Sequence, residues 1–176
     1  MRERIRATAL EMFTTQGYEL TTLAQVADRL DITRPAVYHH FRSKEDLLTS
    51  SYDRLLPVVA DLVASLRAAP RTWRSRRDAL DRLAALVQGE DGPLLVCARI
   101  NENVLRGRSA ASELLEHLDE MTRLLAPGPD VDGLMRGRLA VSALVMAGAR
   151  EAQLGGTADE RSGAALALAR ELLHRP

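Results

Sequence analysis

A single cysteine, Cys97, in 176 residues leaves nothing for an intrachain disulfide and fits a reducing compartment. Charge of one sign is equally lacking. The 24 basic residues balance 24 acidic ones, so the chain as a whole has no electrostatic claim on nucleic acid. No apolar run approaches the ~20 residues a bilayer span requires, and no membrane partner is expected. The opening segment RERIRATALEMF carries too many charges for the apolar part of a signal peptide, so the expected location is cytoplasmic. Aromatic residues are scarce, and beyond residue 41 only Tyr52 and Trp73 occur, which argues against an aromatic cage for a bulky cation. Strand-like alternation is almost absent.

What the chain does hold is helical spacing. Residues 2–16 repeat apolar positions at Ile5, Ala9, Met12 and Phe13, and Gly17 supplies a stop. Thr22 with Gln25 makes a capping box ahead of LAQVADRL, which predicts a helix over 22–30. Thr33 is placed to cap a helix over 33–40, with Pro35 in the first turn, where a missing N–H costs nothing. Ser43 can cap a long helix opened by Glu45 and Asp46, with Pro57 as a kink, break or flexing point. Further helices are predicted at 71–89, 93–106, 109–126, 131–155 and 158–175, punctuated by glycines and prolines. The expected fold is all-α with about nine helices.

Local charge departs from the overall balance at residues 33–44, which carry Arg34, Arg42 and Lys44 with His39 and His40 and no acid. Only Asp31 and Ile32 separate the helices at 22–30 and 33–40. So tight a turn forces them to cross steeply, as a helix-turn-helix. Asp31 stands where the turn needs a left-handed residue, a conformation Asp tolerates better than most. Leu23, Val26, Ala27, Leu30, Ile32 and Val37 would form a small core, with Phe41 joining it and Tyr38 divided between core and surface. Arg34, Ala36, His39 and His40 would point outward. An Arg can bond guanine bidentately and an alanine methyl can meet thymine, so this face suits a major groove. Adjacent on a helix, His39 and His40 point about 100° apart and cannot chelate one metal; neither a metal nor a cofactor is expected.

These residues carry a resemblance. Residues 4–48 resemble the DNA-binding region of the TetR family of transcriptional regulators: Ile5, Ala9, Phe13 and Gly17-Tyr18 on and after the first helix, then Thr21-Thr22, Val26-Ala27, Ile32-Thr33, Val37-Tyr38-His39-His40-Phe41 and Ser43-Lys44-Glu45-Asp46-Leu47. The resemblance implies a helix-turn-helix domain at 1–46, a helical regulatory domain at 47–176 that dimerises and binds a small-molecule effector, and repression of a palindromic DNA operator relieved by that effector. It implies phosphate contacts from Thr21 or Thr22, Tyr38, His39 and Lys44, with Thr33, Arg34, Pro35 and Ala36 nearest the base edges. Leu30-Asp31 stands where the family usually has Ala-Gly, and Pro35 where Gly is common. The basic arm that often precedes the first helix is nearly absent, so little minor-groove reading is expected.

Beyond residue 48 the residues are read on their own. The segment GLMRGRLAVSALVMAGAREAQLG is rich in Gly, Ala and Ser, which let helices approach closely, and with GAALALARELL it forms the expected partner-binding pair. Leu139, Ala143, Met146, Ala147, Leu166 and Leu173 are the expected homodimer contacts, the alternative being that both helices complete the monomer core. In LLVCARINENVL, Asn101 shares a stripe with Leu94, Cys97, Ala98 and Leu105 and should face inward, toward either a ligand or a protein partner. Trp73, Cys97, Glu102, His117 and Met121 join Asn101 as candidate pocket residues. Two other classes compete: a small helical enzyme using Cys97 and His117, for which no nucleophile motif exists, and a helical adaptor, which would leave the Arg34 face without a purpose.

Overall fold

The computed structural model describes residues 1–107, 109–148 and 155–174. Among them are ten helices and no strand: α1 (Arg2–Thr15), α2 (Leu23–Leu30), α3 (Arg34–His40), α4 (Lys44–Ala68), α5 (Trp73–Gln88), α6 (Gly92–Ile100), α7 (Glu102–Leu105), α8 (Ser109–Leu125), α9 (Val131–Ala147) and α10 (Ala158–Leu173). No helix of the described residues is long and apolar enough to cross a membrane.

Local chemistry explains most boundaries. The Thr22 hydroxyl accepts from the Gln25 N–H at 3.2 Å while the Gln25 side chain accepts from the Thr22 N–H at 2.7 Å, completing the capping box of α2. Ser43 accepts from the Asp46 N–H at 3.0 Å and starts α4. Thr33 occupies the cap position of α3, but its hydroxyl makes no capping bond, contrary to expectation. Pro57 neither breaks nor ends α4, which continues for 25 residues. The extra helix arises at Asn101, where the single helix expected over 93–106 divides into α6 and α7. There the backbone sits at φ −99° and ψ 17°, and the side-chain amide turns back to the Cys97 carbonyl at 3.0 Å. The helix expected over 131–155 reaches Ala147; residues 149–154 lie outside the described residues, as does the end of the segment expected over 158–175.

α4 joins the two halves. Leu47, Leu48 and Tyr52 on its first turns, and Leu55, Val59, Leu62, Val63 and Leu66 further along, are buried. α1 rests on both α2 and α6, α8 lies along α4, and α9 and α10 pack along each other with α5 against α10. The small residues of α9 face this chain. A Cβ on Gly137 would stand 2.5 Å from the Thr122 carbonyl oxygen, and one on Gly133 would stand 2.3 Å from that of Gly128.

A cluster of charges ties α6, α7, α8 and α9. Glu102 receives Arg99, Arg106 and Arg138, while Asp119 receives Arg106 at 2.8 Å and Arg138 at 2.5 Å. Burial alone would raise both carboxyls. The hydrogen bonds and positive charges of these arginines outweigh it and hold Glu102 and Asp119 below their ordinary values. Because the folded-state values lie below the unfolded ones, the cluster stabilises the fold above the usual carboxylate range and loses that contribution as pH falls below ~4.

Gly137→Ala should destabilise the chain by ~1–3 kcal/mol in urea unfolding, because backbone rather than a flexible side chain blocks the new methyl. In thermal melts between about pH 6 and about pH 3, the parent should lose melting temperature more steeply than the Glu102→Gln, Asp119→Asn double variant, which lacks the titrating groups. Parallel curves would remove the cluster as the source of acid sensitivity.

Candidate nucleic-acid interface

The turn between α2 and α3 is made by Asp31 at φ 53° and ψ 48°, the left-handed conformation expected of it and the only positive φ at a non-glycine among the described residues. Its N–H and that of Ile32 close onto the Asp28 and Ala27 carbonyls at 3.3 and 3.1 Å, ending α2 and turning the chain sharply into α3. Val37 and Phe41 are buried in the core, which fixes the roll of α3. The opposite face then presents Arg34, Pro35, Tyr38 and His39 to solvent, positions that stack in pairs four residues apart. Thr33 is exposed beside them, while Ala36 and His40 are half-buried. Tyr38, whose spacing fits either core or surface, is 51% exposed. Arg34 lies on this exposed face, where its guanidinium is available to an incoming group.

Two expected phosphate contacts have other occupations. Thr21 is fully buried and its hydroxyl donates to the Gly17 carbonyl at 2.9 Å. The Lys44 ammonium donates to the carbonyls of Tyr18, Glu19 and Thr21 at 2.7, 3.2 and 3.2 Å and stands 4.4 Å from the centre of the Tyr18 ring. Three carbonyls and an aromatic face saturate one cation, so Lys44 clamps the α1–α2 turn instead of facing outward. Thr22 is exposed, with its hydroxyl engaged in the capping box. The N–H groups opening α4 remain where a helix N-terminus attracts an anion.

The six candidate pocket residues do not converge. Cys97 is fully buried, and burial pushes its thiol up to about 12, so it stays protonated at ordinary pH. Asn101 is buried with both its amide nitrogen and its oxygen bonded to protein backbone, the protein-partner alternative for this residue. Glu102 belongs to the arginine cluster, and Met121 is fully buried in the core. Trp73 packs with its ring 5.0 Å from that of His174, at the end of α10. His117 lies on α8 among Glu113, Glu116 and Glu120. No group of His, Cys, Asp and Glu among the described residues could hold a metal ion.

A larger opening lies elsewhere, between α1 and α6. It has a volume of about 1050 Å³, with Leu10, Thr14, Leu94, Val96, Ile100 and Met146 among its walls. Its two sides come from segments some eighty or more residues apart, so no local pattern could have signalled it. Of the expected dimer contacts, Leu139 and Met146 are exposed, Ala143 and Leu166 are half-buried, and Ala147 and Leu173 are buried in this chain's own core. The last two therefore serve the monomer, the alternative reading of these helices.

Residues 5–50 match the family described as bacterial regulatory proteins, tetR family. Over 129 residues the chain is 31% identical to the tetracycline repressor protein class C of Escherichia coli, covering 70% of this chain and 52% of that one. Over 87 residues it is 33% identical to the HTH-type transcriptional activator FasR of Mycolicibacterium smegmatis, covering 49% of this chain and 37% of that one. The chain thus spans about half or less of the length of these curated relatives. The crystal structure of PfmR, a TetR family transcriptional regulator from Thermus thermophilus, superposes with a TM-score of 0.55 at 26% identity, covering 98% of this chain and 100% of that one.

Lys44→Ala should lower the melting temperature and cost about 1–3 kcal/mol, since it removes three hydrogen bonds that hold the α1–α2 turn. Arg34→Ala should leave the melting curve within ~0.5 kcal/mol of the parent. A Lys44→Ala protein as stable as the parent would return that side chain to the surface.

Proposed function

We propose, from the match of residues 5–50 to the tetR family of bacterial regulatory proteins, that this chain is a homodimeric, cytoplasmic transcriptional repressor of that family that binds a palindromic DNA operator through α3. The observation that carries this reading is the outward face of α3, held in place by the left-handed Asp31 turn and the burial of Val37 and Phe41. Arg34 at the start of that face is the side chain for bidentate bonding to a guanine, with Thr33, Pro35 and Ala36 close enough to the base edges to exclude wrong neighbours. Tyr38, His39, Thr22 and the N–H groups opening α4 contact phosphates, which position the helix without reading sequence. The domain boundary falls near residue 46, inside α4, so the regulatory body begins on the helix that the DNA-binding region opens.

Two copies are needed because one helix-turn-helix covers only a half-site. The surface offered for pairing is the outer side of α9 and α10. Val131 is 79% exposed, Met135 54%, Leu139 49% and Leu168 49%, a set of large apolar side chains that water disfavours. A second copy of the same two helices would cover it and form a four-helix interface.

For the effector, the opening between α1 and α6 is the favoured site. Apolar walls and a charged rim that includes Arg6, Arg54 and Glu90 suit an amphipathic small molecule with a mainly apolar body. A ligand there would favour whichever spacing of the two DNA-binding regions leaves the opening wider. It could release the operator by its difference in affinity for the two spacings and by no more.

Selection from a random DNA pool should yield two half-sites related by a dyad, centred about 10 base pairs apart or a multiple of that. Arg34→Ala should bind the selected site ~1–3 kcal/mol more weakly and lose preference at one base pair of each half. Leu139→Glu should sediment as a monomer and lose most operator affinity while keeping its helical content. A parent protein that enriches no sequence would overturn the DNA-binding reading, and an intact Leu139→Glu dimer would move the interface off α9.

A further inference from the structure

The seam between the DNA-binding region and the body is mostly apolar. Ala9 and Phe13 on α1 and Leu94 and Cys97 on α6 are buried, and the two helices pack on each other. Close packing sets the approach of these helices, and apolar contacts, being non-directional, add no bond angles of their own.

Asn101 differs in geometry. Its Nδ2 donates to the carbonyl of Phe13 at 3.0 Å, and its Oδ1 accepts from the Tyr18 N–H at 2.8 Å. One side chain of the body thus grips both the last turn of α1 and the start of the α1–α2 turn. The carbonyl of the same Tyr18 accepts from Lys44 Nζ at 2.7 Å, and Lys44 opens α4 just after α3 ends. The chain of bonds runs from the α6–α7 break, through the N–H and the carbonyl of Tyr18, to the helix that follows α3. Hydrogen bonds have preferred lengths and angles, so this route adds an angular constraint to a seam otherwise held by apolar packing.

We propose that Asn101 is a positioning residue for operator recognition, setting the angle at which the body presents each α3 and therefore the half-site spacing the dimer accepts. This rests on the DNA-binding reading above. Asn101 occupies the junction of α6 and α7, so a change in that junction carries the amide, and the α1–α2 turn it holds, along with it.

The test uses Asn101→Ser and Asn101→Leu in the full chain. A Ser hydroxyl can still bond the carbonyl four residues back in its own helix, as Ser51 and Thr122 do here, but cannot reach Phe13 and Tyr18. Asn101→Leu keeps the volume and removes every bond. The DNA series consists of the site the parent selects, the same site with its halves moved together or apart by single base pairs, and a scrambled duplex. Melting curves and sedimentation accompany the binding measurements.

Asn101→Ser should remain folded and dimeric, bind scrambled DNA like the parent, bind the selected site about tenfold more weakly, and tolerate altered spacings that the parent rejects. If Asn101→Leu folds, it should show the same broadened spacing. A folded Asn101→Ser protein with the parent's affinity and spacing preference would overturn the proposal. So would loss of selected and scrambled binding together in step with the unfolded fraction, which marks a residue needed only for stability. If the parent itself selects no site, the DNA-binding reading falls and this proposal with it.

Discussion

The continuity of α4 is the constraint on which the rest of the molecule depends. A helix propagates its backbone hydrogen bonds one residue at a time, so a 25-residue helix behaves as a rod across both halves of the chain. Leu47, Leu48 and Tyr52 complete the core under the helix-turn-helix, and Val59, Leu62, Val63 and Leu66 complete the core of the body. Neither core could move far without shifting the other. Pro57 removes one backbone donor from this rod, yet the burial of Leu55 and Val59 on either side holds the helix together.

Apart from the Thr33 cap, features decided within a few residues were legible in the sequence. The Thr22–Gln25 box, the Ser43 cap, the left-handed Asp31 and the inward Phe41 all depend on near neighbours, and each stands where the residue types required it. Features decided across the fold were not. The stripe that holds Asn101 points it inward, as found, but its partners lie 83 and 88 residues away, so nothing local could tell a ligand from the end of α1. Lys44 has a similar ambiguity: a lysine beside a basic helix reads as a phosphate contact until the α1–α2 turn is seen to aim three carbonyls at it. In α9 the small residues promise a close approach, and the approach is real. The neighbour at Gly137 and Gly133 is this chain's own backbone.

Zero net charge and the proposed DNA-facing role are compatible because charge is distributed unevenly. Lys44 is bonded to three backbone carbonyls, and Arg99, Arg106 and Arg138 are paired with Glu102 and Asp119 in the body. Of the basic stretch, Arg34 and Arg42 remain exposed. On the proposed reading, so few outward cations on α3 would make DNA binding depend on salt less steeply than a basic arm would.

Cys97 gives the chain an internal gauge of its own breathing. It is fully buried at the seam, its sulfur 3.8 Å from the Asn101 amide, and it is the sole thiol in the sequence. A reagent in water can reach it only when the helices packed over it part, α1 and α4 among them, because the protonated, enclosed thiol has no reactivity to offer while they are closed. The rate at which this one sulfur is labelled therefore counts the openings of the seam, and a single colour change reports them without any probe being added to the chain.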